Sequence, residues 1–422
     1  MIWRALFSLF LIALALTACG GSGGDPPAPV ATRLCPQAVD YRTVFTGGSG
    51  SGELVQVQLD STAMTYRITY LASPVPVVPG TVSPTRATAP NNVVMGTLAQ
   101  ETLLPAAKLN QCAFRLNNAS LDPARPARVF LGDGVLGGTI PGARISFAGV
   151  GGVGVVPDTT FPYYPFIAFA QTSTSLAEAA GAYSMLGYHK VPSQRFAPVA
   201  VDASFTIKAD GSFIECDNSG LYAGQCRPSG TNFVARADSP TFETERFAGQ
   251  IAPTQAVKGP QAKGILIVGK LRGQLVPILI RVGAADPSIA SPPGSPPKTP
   301  LADDESGIAM LAPQTSVAAP SQNGEYIGVD SNFAYRTTAL MNRQATMLDP
   351  FNASEAALAT ALDLDYTETL PGLVTAKRTG ATGGHGPTPT PTAKMIFSGG
   401  ALAYLDTSDP SAPYFAVSAF VQ

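Results

Sequence analysis

The chain has 422 residues with 27 basic against 29 acidic side chains, and only 13% of its residues are charged, roughly half the share usual in soluble proteins. A net charge so near zero, with no basic stripe, excludes a protein that works by neutralising nucleic-acid phosphates. The 42 glycines and 38 prolines, with abundant Thr, Ser and Val, give the profile of a turn-rich β protein long enough for two or three domains.

Residues 1–18 read as an address. Arg4 precedes an apolar run over residues 5–16, which fits the core of a signal peptide and is too short for a transmembrane helix of about 20 residues. The following Leu16-Thr17-Ala18-Cys19 resembles the lipobox of bacterial lipoproteins. That resemblance implies that Cys19 is acylated and becomes the mature N-terminus, and Gly20 in place of Asp implies sorting to the outer membrane. Several acyl chains, at roughly 0.8 kcal/mol per buried CH₂, make such an anchor stable. Residues 19–34, rich in Gly, Ser and Pro, form a flexible tether.

The remaining cysteines, Cys35, Cys112, Cys216 and Cys226, are an even number in an oxidising compartment, so two disulfides are expected. Of the three pairings available, Cys35 with Cys112 and Cys216 with Cys226 keep each bridge within one module.

Along the chain, alternating or β-branched runs at residues 53–59, 64–71, 93–98, 129–131, 265–268, 275–282 and 414–421 read as strands. Helical signals are few: residues 354–362 start with a capping Ser and an acidic first turn, and residues 175–180 predict a single turn. An internal repeat is more informative. Segments beginning at Ala127, Ala262 and Ala393 share a pattern in which Phe130, Ile265 and Ile396 correspond, as do Gly134, Gly269 and Gly400. Asp60-Ser61 before Tyr66-Arg67 matches Asp330-Ser331 before Tyr335-Arg336. Gln171-Thr172-Ser173 with Gly181 and Tyr183 matches Gln314-Thr315-Ser316 with Gly324 and Tyr326, and Ala168-Phe169-Ala170-Gln171 matches the terminal Ala419-Phe420-Val421-Gln422.

The predicted fold is all-β and mainly antiparallel, with tandem sandwiches or small barrels and one or two short helices. The boundaries expected are a signal peptide over 1–18, a tether over 19–34, modules over 35–171 and 172–283, a proline-rich linker over 284–303, and a third module over 304–422, each with its own core. A second Pro-Thr stretch at 383–392 reads as a surface loop. With the lipobox and glycine tether, Gly52-Glu53-Leu54, Tyr66-Arg67-Ile68-Thr69-Tyr70, Asn110-Gln111-Cys112-Ala113-Phe114 and Asp210-Gly211-Ser212-Phe213-Ile214-Glu215-Cys216, the text resembles an uncharacterised family of betaproteobacterial lipoproteins. That resemblance implies no activity and no catalytic residues.

Motifs that spell chemistry lack the surroundings the chemistry needs. Gly149, Gly151 and Gly154 satisfy G-x-G-x-x-G, but Pro157 follows and no helix opens there. The stretch Gly264-Ile265-Leu266-Ile267-Val268-Gly269-Lys270-Leu271 lacks the Ser or Thr of a P-loop and reads as a buried strand entering a turn. Gly20-Gly21-Ser22-Gly23-Gly24 and the pair Ser295 and Lys298 lie in linker sequence, where no rigid turn holds a nucleophile. Only two histidines exist: His189 reads as a strand-end surface residue, and His385 sits in a Gly-Pro-Thr loop. No His or Cys pair has zinc spacing. Asp303-Asp304-Glu305 reads as a solvated linker end or a loose calcium contact, and Asp363 with Asp365, taken as helical, do not share a face. Phe161, Tyr163, Tyr164 and Phe166 suit a sugar-stacking platform, with core packing the plainer reading.

No catalytic, cofactor-binding or metal residue is therefore expected. The function expected is a lipid-anchored cell-envelope protein that binds, displays or scaffolds, on the periplasmic or surface face, with an envelope protein or glycan as partner. The rival is an envelope-glycan hydrolase using scattered Asp and Glu carboxylates.

Overall fold

The computed structural model describes residues 35–36, 38–104, 107–148, 155–219, 223–247, 259–286, 302–351, 360–379 and 393–421. They form three closed, eight-stranded antiparallel barrels in tandem. The first is built from β1 (Phe45–Ser49), β2 (Leu54–Asp60), β3 (Thr65–Ala72), β4 (Val93–Gln100), β5 (Ala113–Leu116), β6 (Arg128–Leu131), β7 (Val135–Ala148) and β8 (Val155–Phe169). A short α1 (Ala107–Asn110) precedes β5, and α2 (Leu176–Ala179) lies between the first and second barrels. The second barrel comprises β9 (Gly181–Val191), β10 (Ala197–Ile207), β11 (Ser212–Asp217), β12 (Cys226–Ala235), β13 (Phe242–Thr244), β14 (Lys263–Leu271), β15 (Gln274–Val282) and β16 (Ser306–Pro313). The third comprises β17 (Gly324–Asp330), β18 (Tyr335–Met341), β19 (Gln344–Leu348), β20 (Thr360–Asp365), β21 (Leu373–Thr379), β22 (Ala393–Ser398), β23 (Ala401–Asp406) and β24 (Tyr414–Phe420). Closure removes every sheet edge, and with it the unpaired backbone groups an edge would present.

The repeat lies on this frame with one exception. The segments from Ala127, Ala262 and Ala393 lead into β6, β14 and β22, the sixth strand of each barrel. Gly134 and Gly400 take left-handed φ values of 80° and 93° at the following turns, where only glycine is free of strain. Gly269 does not: β14 runs on to Leu271 and turns at Arg272-Gly273. Gly269 is instead a place of close approach, because a Cβ there would lie 2.4 Å from the Phe169 ring of the first barrel.

The Gln-Thr-Ser echoes are the two inter-barrel connections. Each carries a helical turn, α2 in one case and a 3-10 turn over Ala319–Gln322 in the other. The first strand that follows sends a tyrosine hydroxyl back to it: Tyr183 Oη donates to the Ala179 carbonyl at 2.7 Å, and Tyr326 Oη to that of Gln322 at 3.1 Å. The Asp-Ser echo has another origin, since it precedes the third strand of the first barrel but the second strand of the third. What the two share is a hairpin. Asp60 and Asp330 accept backbone N–H bonds from the turn, and the N–H groups of Ser61 and Ser331 reach the carbonyls of Val39 and Phe415.

Three boundaries need correction, and one of them is the start of the third module, which opens not at 304 but with β17 (Gly324–Asp330). The second module does not end at 283, because β16 pairs with both β15 and β9 and closes that barrel. The proline-rich residues 284–303 are thus an excursion inside the second barrel, and its two ends meet in a bridge between Ala284 and Asp303. Residues 287–301 lie outside the described residues. Prolines mark an exposed connection equally well within a barrel and between barrels, so composition could not separate the two cases. The helix expected over 354–362 also fails in part: residues 360–362 open β20, and the rest lies outside the described residues.

The barrels are not self-sufficient modules. Each has an apolar lumen, but a further core lies among the barrels, including Ile167 and Phe169 of the first, Ile265, Ile267, Ile278 and Ile280 of the second, and Leu405 and Val417 of the third, none more than 3% exposed. Burying one such side chain is worth about 1.5–3 kcal/mol, so exposing this shared core would cost about as much as the whole stability of an ordinary domain. Strands such as β14 and β15 are covered on both faces for this reason, and read as continuous apolar runs. Residues 34–422 accordingly form one compact unit.

Candidate functional site

Odd-numbered strands all run toward one end of each barrel, and there the three barrels meet around a narrow, partly open pocket of about 70 Å³. The first barrel contributes Val75 and Val82 from the β3–β4 connection, Ile145 and Phe147 from β7, and Phe161 and Tyr164 from β8. Tyr188, Lys190, Phe196, Asp304 and Ile308 come from the second barrel, and Val329, Asp330, Phe333 and Phe415 from the third. The wall is chiefly apolar and aromatic, with Lys190 its one cationic side chain among the described residues.

Lys190 follows from strand parity. Along β9, Tyr183 and Met185 fill the lumen while Leu186 and Tyr188 face the seam between barrels, which puts the 190 side chain on the seam face as well. Its ammonium lies 5.1 Å from the centre of the Phe161 ring, 5.8 Å from Tyr188 and 5.2 Å from Phe333: one ring from each barrel. Such ring faces attract a cation but accept none of its hydrogen bonds in the way an oxygen would. Burial alone draws the Lys190 pKa down, and among the described residues no carboxylate pairs with it. Tyr164, 5% exposed, adds a buried hydroxyl without a hydrogen-bond partner.

Two aromatic residues on this pocket hold left-handed backbone, Phe196 at φ 58° and Phe333 at φ 62°, a conformation costly for bulky side chains and found where the surroundings impose it. Phe161 fixes both rings, at 5.0 and 5.9 Å between centroids, and Tyr163 donates to the Phe333 carbonyl at 2.5 Å. Asp330 accepts from Arg336 and from the Tyr414 hydroxyl, so its charge is matched. Asp304 is held by the Ser193 N–H at 2.6 Å and hydroxyl at 2.9 Å, yet burial outweighs these bonds and raises its carboxyl to about 6.

Beside the pocket, the mouth of the second barrel holds a charged cluster. His189, 9% exposed, donates from Nδ1 to Glu305 at 2.6 Å. Burial would raise the Glu305 carboxyl, but that bond and the Arg281 charge bring it down to about 2. Arg281 pairs with buried Asp303. Glu215 has no hydrogen-bond partner among the described residues, and burial, against the opposing pull of Arg281, pushes it up to about 7.

His189 is therefore not a surface residue, and Asp303 and Asp304, 6% and 2% exposed, are not a solvated linker end; they lead directly into β16, whose pairing with β9 brings them to the barrel mouth. Asp363 and Asp365 lie on β20, a strand, and so do share its outer face. Phe161, Tyr163, Tyr164 and Phe166, none more than 5% exposed, offer no open stacking platform: Phe166 fills the first lumen and the others surround the junction. Residues 264–271 are strand β14, buried as expected. The disulfides join Cys35 to Cys112 and Cys216 to Cys226. Among the described residues no group of three His, Cys, Asp or Glu could hold a metal, and no helix is long and apolar enough to cross a membrane. Cys19, His385, Gly149, Gly151, Gly154, Ser22, Ser295 and Lys298 lie outside the described residues.

Sequence reading missed Lys190, Phe196, Phe333 and Glu215. The signal for Lys190 was present: Leu186 and Tyr188 make the outer face of β9 apolar, so a lysine in the same register sits in a seam. Phe196 and Phe333 carried none, because only the assembled junction brings them together.

No curated protein matches the sequence. Among solved structures, the intact Ap-TbpB with its N and C lobes aligns at 10% identity and a TM-score of 0.18, covering 88% of this chain and 66% of that one. A Trp-176-Ala mutant of transferrin binding protein B from Haemophilus parasuis Hp5 aligns at 8% identity and 0.16, covering 94% and 98%. Scores this low do not establish a shared fold. Residues 65–419 match the family described as "Protein of unknown function (DUF2957)", and the chain belongs to that family.

Proposed function

We propose that this chain is a lipid-anchored binding protein of the bacterial envelope and not an enzyme, tied to the outer membrane through acylated Cys19 and taking a small, largely apolar ligand in the three-barrel junction. The observation that carries the reading is the junction pocket, an apolar and aromatic cavity with one unmatched cation, walled by all three barrels and flanked by two strained aromatic residues. A site that needs all three barrels gives the tandem array a purpose that separate modules would not supply. The anchor reading rests on the Leu16-Thr17-Ala18-Cys19 sequence. Mass spectrometry of the membrane fraction should find acyl mass on Cys19, and Cys19→Ser should leave unacylated precursor or released protein. Wild-type protein that is soluble and unacylated would overturn the anchor.

One arrangement favours the rival hydrolase: Glu215 and Glu305 have carboxyls pushed to opposite ends of the carboxylate range, the pattern of an acid and base pair. Glu215 is nevertheless not among the residues lining the junction pocket. Turnover of envelope glycans by wild-type protein, abolished in Glu215→Gln, would install the hydrolase in place of the binder.

A further inference from the structure

Resting on the junction-pocket reading, we infer that the ligand is a single-headed anionic amphiphile whose carboxylate or phosphate pairs with Lys190 while its hydrocarbon lies along the apolar wall. Among the described residues Lys190 is the only cationic side chain lining the pocket, and its ammonium has ring faces about it but no acceptor. A partly desolvated ammonium pairs strongly with an anion, since charge-assisted bonds are about twice as strong as neutral ones.

The two carboxylates on the wall are already engaged, Asp330 by Arg336 and the Tyr414 hydroxyl and Asp304 by the Ser193 N–H and hydroxyl, and the apolar part of the lining suits the tail. Val82, Ile145, Phe147 and Ile308 offer hydrocarbon and no hydrogen bond, so a polyhydroxylated ligand such as a glycan would leave its hydroxyls unsatisfied there. A cationic amphiphile would meet Lys190 as a like charge with its screening by water reduced. A neutral alkyl chain would gain the apolar contact and leave the ammonium unpaired.

The test uses residues 34–422, which hold both disulfides and all three barrels as one compact unit. Calorimetric titration with dodecanoate, dodecyl phosphate, dodecanol and dodecyltrimethylammonium, all kept below micelle formation, should give one site for the anions. The trimethylammonium compound should bind at least tenfold more weakly, and the ratio of carboxylate to phosphate affinity identifies the head. Lys190→Met should weaken dodecanoate at least tenfold and leave dodecanol unchanged, while Lys190→Arg should retain dodecanoate binding. If dodecanol and dodecanoate bind alike, or Lys190→Met weakens both equally, the anionic-head inference falls and the pocket reading stands. If no amphiphile of any charge binds, both fall.

Discussion

The first and second barrels place a buried acid at the same topological end and treat it in opposite ways. In the first, Glu53 is fully buried and fully matched: Arg86 donates from Nε at 3.0 Å and from Nη2 at 2.6 Å, while Ser51 and Ser73 each donate at 2.6 Å. Arg86 in turn lies 4.6 Å from the Tyr70 ring centre and bonds the carbonyls of Pro141 and Gly142. In the second, Glu215 lies beside Arg281, but Asp303 has taken that guanidinium. A satisfied acid is a strut, holding the β3–β4 connection over the barrel mouth. An unsatisfied one is a group whose proton the environment controls, which is why the second mouth rather than the first attracts a chemical reading.

The sharpest break of that comparison is to unmatch the first mouth. Arg86→Met removes the guanidinium and leaves a buried carboxylate, for which a loss of about 3–5 kcal/mol is expected. Chemical denaturation measures it, and adding Glu53→Gln should restore part of the loss. A change below about 1 kcal/mol would mean that Glu53 finds water on its own.

Next in size is the rim of the second mouth. Cys216 and Cys226 face each other across β11 and β12, directly after Glu215, where the first barrel has its ion pair. Replacing both with alanine frees a ten-residue separation in the unfolded chain and should cost about 2–3 kcal/mol. Because the bridge steadies the strand that buries Glu215, the same variant should also let that carboxyl titrate nearer its ordinary range, which NMR titration would follow directly. An unmoved carboxyl would show that the bridge and the acid are independent.

Much of this fold was legible because it is local. Hairpin turns carry Gly134, Asp60 and Asp330 as chemistry a sequence displays, and the sixth-strand repeat survived because the same strand must be covered on both faces in every barrel. The site was less legible because it is a meeting of ends. Asp303-Asp304-Glu305 looks like a solvated acidic run in any linear reading, and only pairing of β16 with β9 takes it indoors. The linker boundary failed for a related reason: closing a barrel depends on which strand pairs with the first, and the prolines before residue 302 say nothing about that. Lys190 stands between these cases, since its register was readable but the seam it faces was not.

The subtlest test concerns the proton on Glu215. Its folded carboxyl is raised to about 7 while an unfolded glutamate titrates near 4.3, so between those values the folded chain holds a proton that the unfolded chain releases. Stability then falls as pH rises from about 4.5 to 7 and levels off above. A raised acid thus acts in the opposite sense to Glu305, whose lowered carboxyl stabilises above the unfolded value and loses that contribution only as pH drops toward 2. Asp304, raised to about 6, adds a slope of the same sign as Glu215 and ends earlier. A tenfold difference in proton affinity between the folded and unfolded chains corresponds to about 1.4 kcal/mol, and since Glu215 retains some contact with solvent, about 1–2 kcal/mol is the expected penalty at pH 8. Glu215→Gln keeps the shape and removes the charge, so it should gain that amount at pH 8 and little at pH 5. Denaturation curves at the two pH values decide it: a difference between variant and wild type that does not change with pH would mean that Glu215 is ionised throughout, and that the second mouth is as settled as the first.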